Sequence, residues 1–153
     1  MRRTGYFLPP AAWMAVIFVF STSLFSSEET GRIIEPIIKL VYPDASRELV
    51  EILHHLIRKA AHLTEYLLLS LLWFRALIKG AGWSPGRAVL SSFLISAAYA
   101  ATDEIHQSFV PGRTSSPIDV LIDASGAAIG MAITGLITKK RGRKATPFVS
   151  LQS

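Results

Sequence analysis

The chain has 153 residues, of which 50% are hydrophobic, and it carries a formal net charge of +5. This length fits one domain, and the high hydrophobic content favours insertion into a membrane over an ordinary soluble fold. Cysteine is absent, which excludes a disulfide framework, a thiolate metal site and a thiol nucleophile. The basic residues lie at the chain ends and in short connections rather than on one face, so nucleic acid is not expected as a partner.

The first predicted element is a membrane span over about residues 6–25. No charged residue occurs between Thr4 and Ser27, and the run from Trp13 to Phe20 is apolar on all sides. Such a helix is long enough to cross a hydrocarbon core of about 30 Å. A cleaved signal peptide is the alternative, because two arginines precede the apolar run, but an Ala-x-Ala cleavage site is missing and further spans follow.

The segment 26–57 is too long and too regularly patterned to be a bare loop. Apolar residues recur at helical spacing from Ile33 to Val41 and again from Leu49 to Leu56, with Pro43-Asp44 between them. This pattern predicts two short amphipathic helices that lie on the outer membrane surface. His54 and His55 are expected to be exposed interfacial residues of the second helix.

Three further spans are predicted at about 60–78, 88–105 and 118–138. The uncharged stretches within the last two, Ala88–Thr102 and Ala124–Thr138, each reach only ~22 Å as helices, so the acids at one end must lie inside the membrane. The predicted fold is an all-α, integral membrane four-helix bundle with short amphipathic helices in its outer loop. It comprises a transmembrane domain at 1–138 and a basic cytoplasmic tail at 139–153 for which no structure is predicted.

The charge distribution predicts the orientation of these spans. Lysine and arginine favour the cytoplasmic side, and here they precede span one, lie between spans two and three, and follow span four. All acidic residues fall outside or in the outer half of the bundle. Both termini are therefore predicted to be cytoplasmic.

Acidic residues of three different spans are predicted to lie at one depth. Counted from basic residues at the inner boundary, Glu65, Asp103 and Asp123 lie ~21–24 Å up their helices, a few ångströms beneath the outer boundary. Charged residues at this depth are costly and usually mark function. The alternative is that the acids pair with Arg58, Lys59 and Arg113 and only hold the helices together.

A stripe on the last span combines these acids with glycines. Asp119, Asp123, Gly126 and Gly130 follow a helical spacing that places them on one face. Gly126 and Gly130 form a GxxxG element, which predicts the close approach of another helix.

Three sequence blocks resemble the VanZ-like family. They are RKAAHLTEY at 58–66, TDEIHQSFVPGR at 102–113 and SPIDVLIDASG at 116–126, in this order and spacing. The family consists of small multi-span bacterial membrane proteins, and its founding member is linked to low-level resistance to the glycopeptide teicoplanin. The resemblance implies a multi-pass protein of the inner (cytoplasmic) membrane. The family's motif residues carry over to Lys59, His62, Glu65, Tyr66, Asp103, Glu104, Gln107, Pro111, Gly112, Arg113, Asp119 and Gly126.

The favoured function is binding of an outer-leaflet amphiphile or a lipid-linked cell-wall precursor, with a contribution to teicoplanin tolerance. Pro111-Gly112 predicts a tight turn that positions Arg113 at the outer ends of two spans, and a guanidinium matches a phosphate bidentately. The expected partners are membrane lipids or the lipid-linked precursor, and a homo-oligomer is possible. The predicted ligand-binding residues are Arg58, Lys59, Tyr66, Gln107, Arg113 and Asp123.

An intramembrane hydrolase or transferase acting on a lipid-linked substrate is the first alternative. His62 would be its general base, and the side chains of His62, Glu65, Asp103 and Asp119 are expected to converge. No nucleophile with a known signature occurs, so only water or a metal-bound hydroxide is available. The candidate catalytic residues are His62, Glu65, Asp103, Glu104 and Asp119.

Two further alternatives use the same side chains. No cofactor is predicted, although imidazole and carboxylates suit a divalent ion such as zinc or manganese. The candidate ligands of that ion are His62, Glu65, Glu104, His106 and Asp119. A proton- or ion-translocating oligomer is the other alternative, since intramembrane acids also serve transport.

Overall fold

The chain is built from helices joined by short connections. The structure, a computed structural model, describes residues 3–113 and 115–144, and these residues contain no strand. A 3-10 helix at Arg3–Phe7 leads into the first α-helix, and a short 3-10 turn at Ser23–Phe25 precedes the second. The α-helices are α1 (Leu8–Phe20), α2 (Ser27–Val41), α3 (Arg47–Lys79), α4 (Pro85–Ser108) and α5 (Pro117–Lys144). The predicted all-α fold is confirmed.

Local capping explains where these helices begin. Ser26 accepts a hydrogen bond from the Glu29 backbone N–H at 3.3 Å, and Ser46 accepts one from Leu49 at 3.2 Å, so each serine caps the helix that follows it. Pro85 occupies the first turn of α4. Backbone N–H groups in this turn have no acceptor within the helix, so the missing N–H of proline costs no hydrogen bond. The predicted break at Pro43-Asp44 is a turn between α2 and α3.

The predicted second amphipathic helix does not exist as a separate element. The segment around Leu49–Leu56 continues without interruption into the predicted span 60–78, and together they form the 33-residue helix α3. The stretch contains neither proline nor glycine, so nothing breaks the backbone hydrogen bonding. At 1.5 Å per residue α3 is ~50 Å long and exceeds a ~30 Å hydrocarbon core by about 20 Å.

The predicted first span is also shorter than expected. α1 ends at Phe20 rather than near residue 25, and the chain then bends by 71° between Arg3–Phe20 and Ser23–Val41. α2 therefore runs across the end of α1, with Ile33, Ile37 and Leu40 exposed along it. An exposed apolar stripe on such a helix suits a membrane interface.

Only some of the described helices are long and apolar enough to span a membrane. Within the described ranges, α3 and the Pro117–Lys139 part of α5 are long and apolar enough to cross a membrane, and the bent pair makes a third if it is one span. α4 is not among them, since acids and other polar residues lower its hydropathy. The protein is thus an apolar helical membrane protein with two or three candidate crossings, and a fourth crossing remains a prediction.

Side-chain contacts give the relative directions of the helices. Phe7 packs against Trp73 and Trp13 donates a hydrogen bond to the Glu65 carbonyl at 2.9 Å, so α1 runs opposite to α3. Tyr99 donates to the Met14 carbonyl at 2.7 Å and Gln107 to the Ser21 hydroxyl at 3.2 Å, so α1 and α4 run the same way. These directions agree with an alternating topology.

The glycines of α5 allow α3 and α5 to lie side by side in the same direction. A Cβ at Gly126 would collide with the backbone of Leu63, and one at Gly130 would lie 3.0 Å from the Leu67 carbonyl oxygen. Only glycine permits this approach, because any side chain would force the two backbones apart. The predicted close contact at the GxxxG element is confirmed.

A small apolar core lies next to the acids that are predicted to share one depth, Glu65, Asp103 and Asp123. Ile17, Tyr66, Leu69 and Ala100 are fully buried against one another, with tryptophans of α1 and α3 packed around them. Large aliphatic side chains point outward along α4 and α5, among them Leu90, Leu94, Ile118, Leu121, Ile133 and Leu136. An outward apolar surface is expected for helices that face lipid.

The first residues of the basic tail at 139–153 are helical, although no structure was predicted for this tail. α5 continues through Lys139 to Lys144, so the first part of this tail is helical. The remainder of the predicted tail, 145–153, lies outside the described residues.

Candidate functional site

Polar residues from α3, α4 and α5 line a small cavity at the end of the bundle nearest α2. Its volume is about 50 Å³. Seven of the residues predicted from the sequence line it: Arg58, Lys59, His62, Glu104, Gln107, Asp119 and Asp123. Ser27, His55 and Ile122 complete the wall.

A second, larger cavity adjoins the first. It measures about 230 Å³ and shares Arg58 and His62 with the small cavity. Glu65 and Arg113 also line it, whereas Phe20, Phe25 and Ala61 make part of its surface apolar. The two neighbouring cavities therefore differ in character, since the small one is lined mainly by polar side chains and the larger one partly by apolar side chains.

Three side chains from three helices converge beside the small cavity, and two of them, His62 and Asp123, line it. His62 of α3, Asp103 of α4 and Asp123 of α5 each place one nitrogen or oxygen atom within 4.8 Å of the others. The His62 Nδ1 atom lies 3.6 Å from Asp123 Oδ1. The expected convergence is thus found for His62 and Asp103, with Asp123 as the third member.

Asp103 is held in place by a neighbour on its own helix. Gln107 donates one hydrogen bond to Asp103 Oδ2 at 2.9 Å and another to the Ser21 hydroxyl at 3.2 Å. Asp103 and Gln107 are both buried. The amide of Gln107 therefore orients the Asp103 carboxylate and ties it to the end of α1.

Asp119 does not join this group, because it has another partner. Lys59 donates to Asp119 Oδ1, and both side chains are about a quarter exposed. This ion pair joins α3 to α5 one helical turn from His62 and Asp123. Asp119 is therefore a helix-joining residue, as the alternative interpretation of the acids expected.

Glu104 also makes a structural contact. Its carboxylate accepts a hydrogen bond from the Ser116 backbone N–H at 3.1 Å, just before α5 begins. Although it lines the small cavity, Glu104 is 5% exposed as a residue. Its contact with Ser116 fixes the start of α5 relative to the end of α4.

Arg113 owes its position to a tight turn. The Arg113 N–H bonds to the Val110 carbonyl at 3.2 Å, and Gly112 has a φ of 76°, which only glycine adopts without strain. Its guanidinium donates to the Phe20 carbonyl and, at 3.3 Å, to the Thr22 carbonyl. The expected turn is confirmed, and Arg113 satisfies carbonyl groups at the end of α1.

The arginines around the larger cavity do not pair with acids. Arg58 donates to the Ser27 hydroxyl at 2.5 Å, and Arg113 contacts backbone carbonyls as described above. In the part of the chain that the structure describes, neither guanidinium forms an ion pair with a carboxylate. The proposed stapling of the acids by Arg58 and Arg113 is therefore not observed, and both cations face the cavity.

Two of the predicted site residues have surroundings that differ from the expectation. Tyr66, predicted to bind a ligand, lies in the apolar core and lines neither cavity. Its ring packs 6.4 Å from that of Tyr99. Glu65 lines the larger cavity, and no side-chain hydrogen bond or ion pair of its carboxylate is found among the described residues.

The contribution of α2 to the two cavities was not predicted from the sequence. Ser27 and Thr30 lie one turn apart on α2 and face α3, where they contact Arg58 and His54. The Thr30 hydroxyl lies 3.0 Å from His54 Nε2. His54 is therefore only partly exposed, contrary to the prediction of an exposed interfacial residue. His55 is exposed but lines the small cavity. The polar face formed by Ser27 and Thr30 was the available signal.

These features define an all-α membrane protein with a polar cluster buried between helices at one end of the bundle. The chain belongs to the VanZ/LLP1 family, whose model matches residues 6–138. The resemblance noted from the three sequence blocks is thereby confirmed. No curated protein and no solved structure matches the chain.

Proposed function

We propose that this protein binds an anionic amphiphile from the outer leaflet of the bacterial inner membrane, such as a polyprenyl-linked cell-wall precursor. The observation that carries the proposal is the pair of guanidinium groups, Arg58 and Arg113, that line one cavity and have no carboxylate partner among the residues that the structure describes. A guanidinium has five donors, and the contacts made by each arginine leave several of them available. Phosphate oxygens are the acceptors that suit such donors best.

The division of the site into two cavities supports an amphiphilic ligand. Phe20, Phe25 and Ala61 give the larger cavity an apolar surface on which the first carbons of a lipid chain would pack. The phosphate would lie between Arg58 and Arg113, next to the small polar cavity that contains Lys59. Burial of the chain and charge-assisted hydrogen bonds to the phosphate would then act together.

Removal of one guanidinium is expected to weaken binding of a polyprenyl phosphate. A hydrogen bond to a charged group contributes about 1.5–3 kcal/mol, so Arg58→Gln should raise the Kd at least tenfold. Arg32→Gln is the matched control, because Arg32 is exposed on α2 and pairs with Glu28 and Glu29. Native mass spectrometry of the full-length protein in detergent, titrated with polyprenyl phosphate and with the uncharged polyprenol, measures both affinities.

Equal affinity for phosphate and alcohol, or an unchanged Kd in Arg58→Gln, would contradict the proposal. Release of inorganic phosphate from a polyprenyl diphosphate in the same samples would instead place the protein among hydrolases.

We further propose that this binding contributes to teicoplanin tolerance, as family membership suggests. The minimal inhibitory concentration of teicoplanin should then rise with the wild-type protein and not with Arg58→Gln in the same bacterial host.

We also propose that both termini are cytoplasmic, so that the polar cluster faces the outer side. The helix directions support this, since the beginning of α1 lies beside the end of α3, where Tyr6 contacts the Arg75 guanidinium at 5.4 Å. Lys79 follows at the same end, and α5, which runs parallel to α3, places Lys139 there too. A green fluorescent protein fused after Ser153 should fluoresce, whereas alkaline phosphatase there should be inactive. Active alkaline phosphatase at this position would contradict a cytoplasmic C-terminus and indicate the opposite orientation.

A further inference from the structure

We propose that His62, Asp103 and Asp123 bind one divalent transition-metal ion, zinc or manganese, between α3, α4 and α5. One ligand atom from each residue lies within 4.8 Å of the other two. Imidazole and carboxylate oxygen form a donor set that suits these two ions. This inference does not depend on amphiphile binding, and its test uses a different measurement.

The state of Asp123 is the independent observation that points to a ligand. Its side chain is 1% exposed, and among the described residues neither carboxylate oxygen has a hydrogen-bond partner. The His62 Nδ1 atom is also buried without a partner. A buried carboxylate without hydrogen bonds is costly, and one bound cation would satisfy these three atoms together.

The spacing of the unsatisfied atoms fits a metal better than a hydrogen bond. His62 Nδ1 and Asp123 Oδ1 are 3.6 Å apart, beyond the usual hydrogen-bond range. Two ligands of a tetrahedral zinc ion, each at roughly 2.0–2.1 Å, lie about 3.4 Å apart. Asp103 offers the third ligand atom, a carboxylate oxygen within 4.8 Å of the other two.

The charge balance favours a divalent ion over a protonated histidine. An imidazolium at His62 would neutralise one carboxylate and leave the second charge of Asp103 and Asp123 uncompensated in a buried place. A divalent cation with a neutral imidazole balances both carboxylates. Among the described cations nearest in sequence to these residues, Lys59 pairs with Asp119, and Arg58 contacts Ser27 but neither Asp103 nor Asp123.

The surroundings also resemble those of metal sites that bind an exchangeable ligand. Gln107 orients Asp103 by a hydrogen bond to Oδ2, which is the kind of second contact that positions metal ligands. His62 and Asp123 both line the small cavity. Three protein ligands with an open position toward a cavity are typical of zinc sites that hold water or a substrate oxygen.

Metal stoichiometry of the full-length protein tests the proposal directly. The protein, carrying no histidine tag, is treated with chelator in detergent and titrated with ZnCl₂ or MnCl₂. Each sample is then desalted and analysed by inductively coupled plasma mass spectrometry. We expect about one ion per chain for at least one of the two metals, with a Kd raised at least tenfold in His62→Gln and in Asp123→Asn. His54→Gln and Asp44→Asn are the controls, and both should bind as the wild type does, because neither residue belongs to the cluster.

The wild-type titration decides the matter even if one variant fails to fold. Absence of stoichiometric zinc and manganese binding to the wild type overturns the proposal. Equal binding by the wild type and by a folded His62→Gln or Asp123→Asn variant also overturns it, because the ion would then be held elsewhere. Metal binding without any preference for polyprenyl phosphate would leave this site in place and remove only the proposed amphiphile.

Discussion

One added methyl group at Gly126 should lower the free energy of unfolding by about 1–3 kcal/mol. Alanine is the smallest possible change, yet its Cβ would collide with the Leu63 backbone of the neighbouring helix α3. Neither backbone can move without separating α3 from α5. Unfolding of the detergent-solubilised protein, followed by circular dichroism during titration with sodium dodecyl sulfate, measures the loss.

Gly135→Ala is the matched control for this prediction. Gly135 lies on the same helix, but a Cβ there would meet nothing within 4 Å. Because alanine favours a helix over glycine, this variant should be as stable as the wild type or gain up to about 1 kcal/mol. Equal effects of the two substitutions would show that α3 and α5 do not approach as closely as described. Since Gly126 follows Asp123 by one turn, Gly126→Ala should also weaken metal binding to the cluster.

The ion pair between Lys59 and Asp119 is expected to give the second large effect. Lys59→Met removes the cation and leaves Asp119, whose side chain is 22% exposed, without its partner. Leaving one charge of a largely buried pair alone costs about 2 kcal/mol or more. Thermal unfolding of Lys59→Met, Asp119→Asn and the double variant gives the coupling energy, which should be about 1–3 kcal/mol.

An exposed pair in the same chain supplies the comparison. Lys39 and Glu35 lie 2.8 Å apart on α2, and both side chains are 51% exposed. Lys39→Met should change stability by no more than about 0.5 kcal/mol, because solvent screens the pair and the two groups are adjacent on one helix. A similar loss in both lysine variants would contradict the assigned role of Lys59 and Asp119 in joining two helices.

Local sequence signals were sufficient for several elements of this protein. The turn at Pro111-Gly112 follows from the preferences of these two residues, and the close approach at Gly126 follows from the absence of a side chain. The helical rise alone predicts a common depth for Glu65, Asp103 and Asp123, and this depth in the membrane stays a prediction. Each of these predictions uses only the identity and spacing of residues near one another in the chain, so it can be made without knowing which helices are neighbours.

The helix boundaries in the outer segment, residues 26–57, could not be predicted in the same way. The apolar spacing from Leu49 to Leu56 predicts a helix, but it does not tell whether that helix ends before residue 60. The absence of any helix-breaking residue was the informative feature, and it produces a single helix from Arg47 to Lys79. The return of α2 over the site depends on contacts between Ser27 and Arg58 and between Thr30 and His54, which are distant in sequence.

By itself, the sequence determined the all-α fold, the family and the layer of polar residues near one end of the helices. Only the tertiary structure decided which acid meets which partner: Asp119 pairs with Lys59, whereas Asp123, one turn further along α5, faces His62 and Asp103. Residues four apart share a helix face, so the pattern could not separate the two aspartates. The choice depends on how α3, α4 and α5 are rotated and shifted against one another, and that arrangement is set by packing contacts such as those at Gly126 and Gly130.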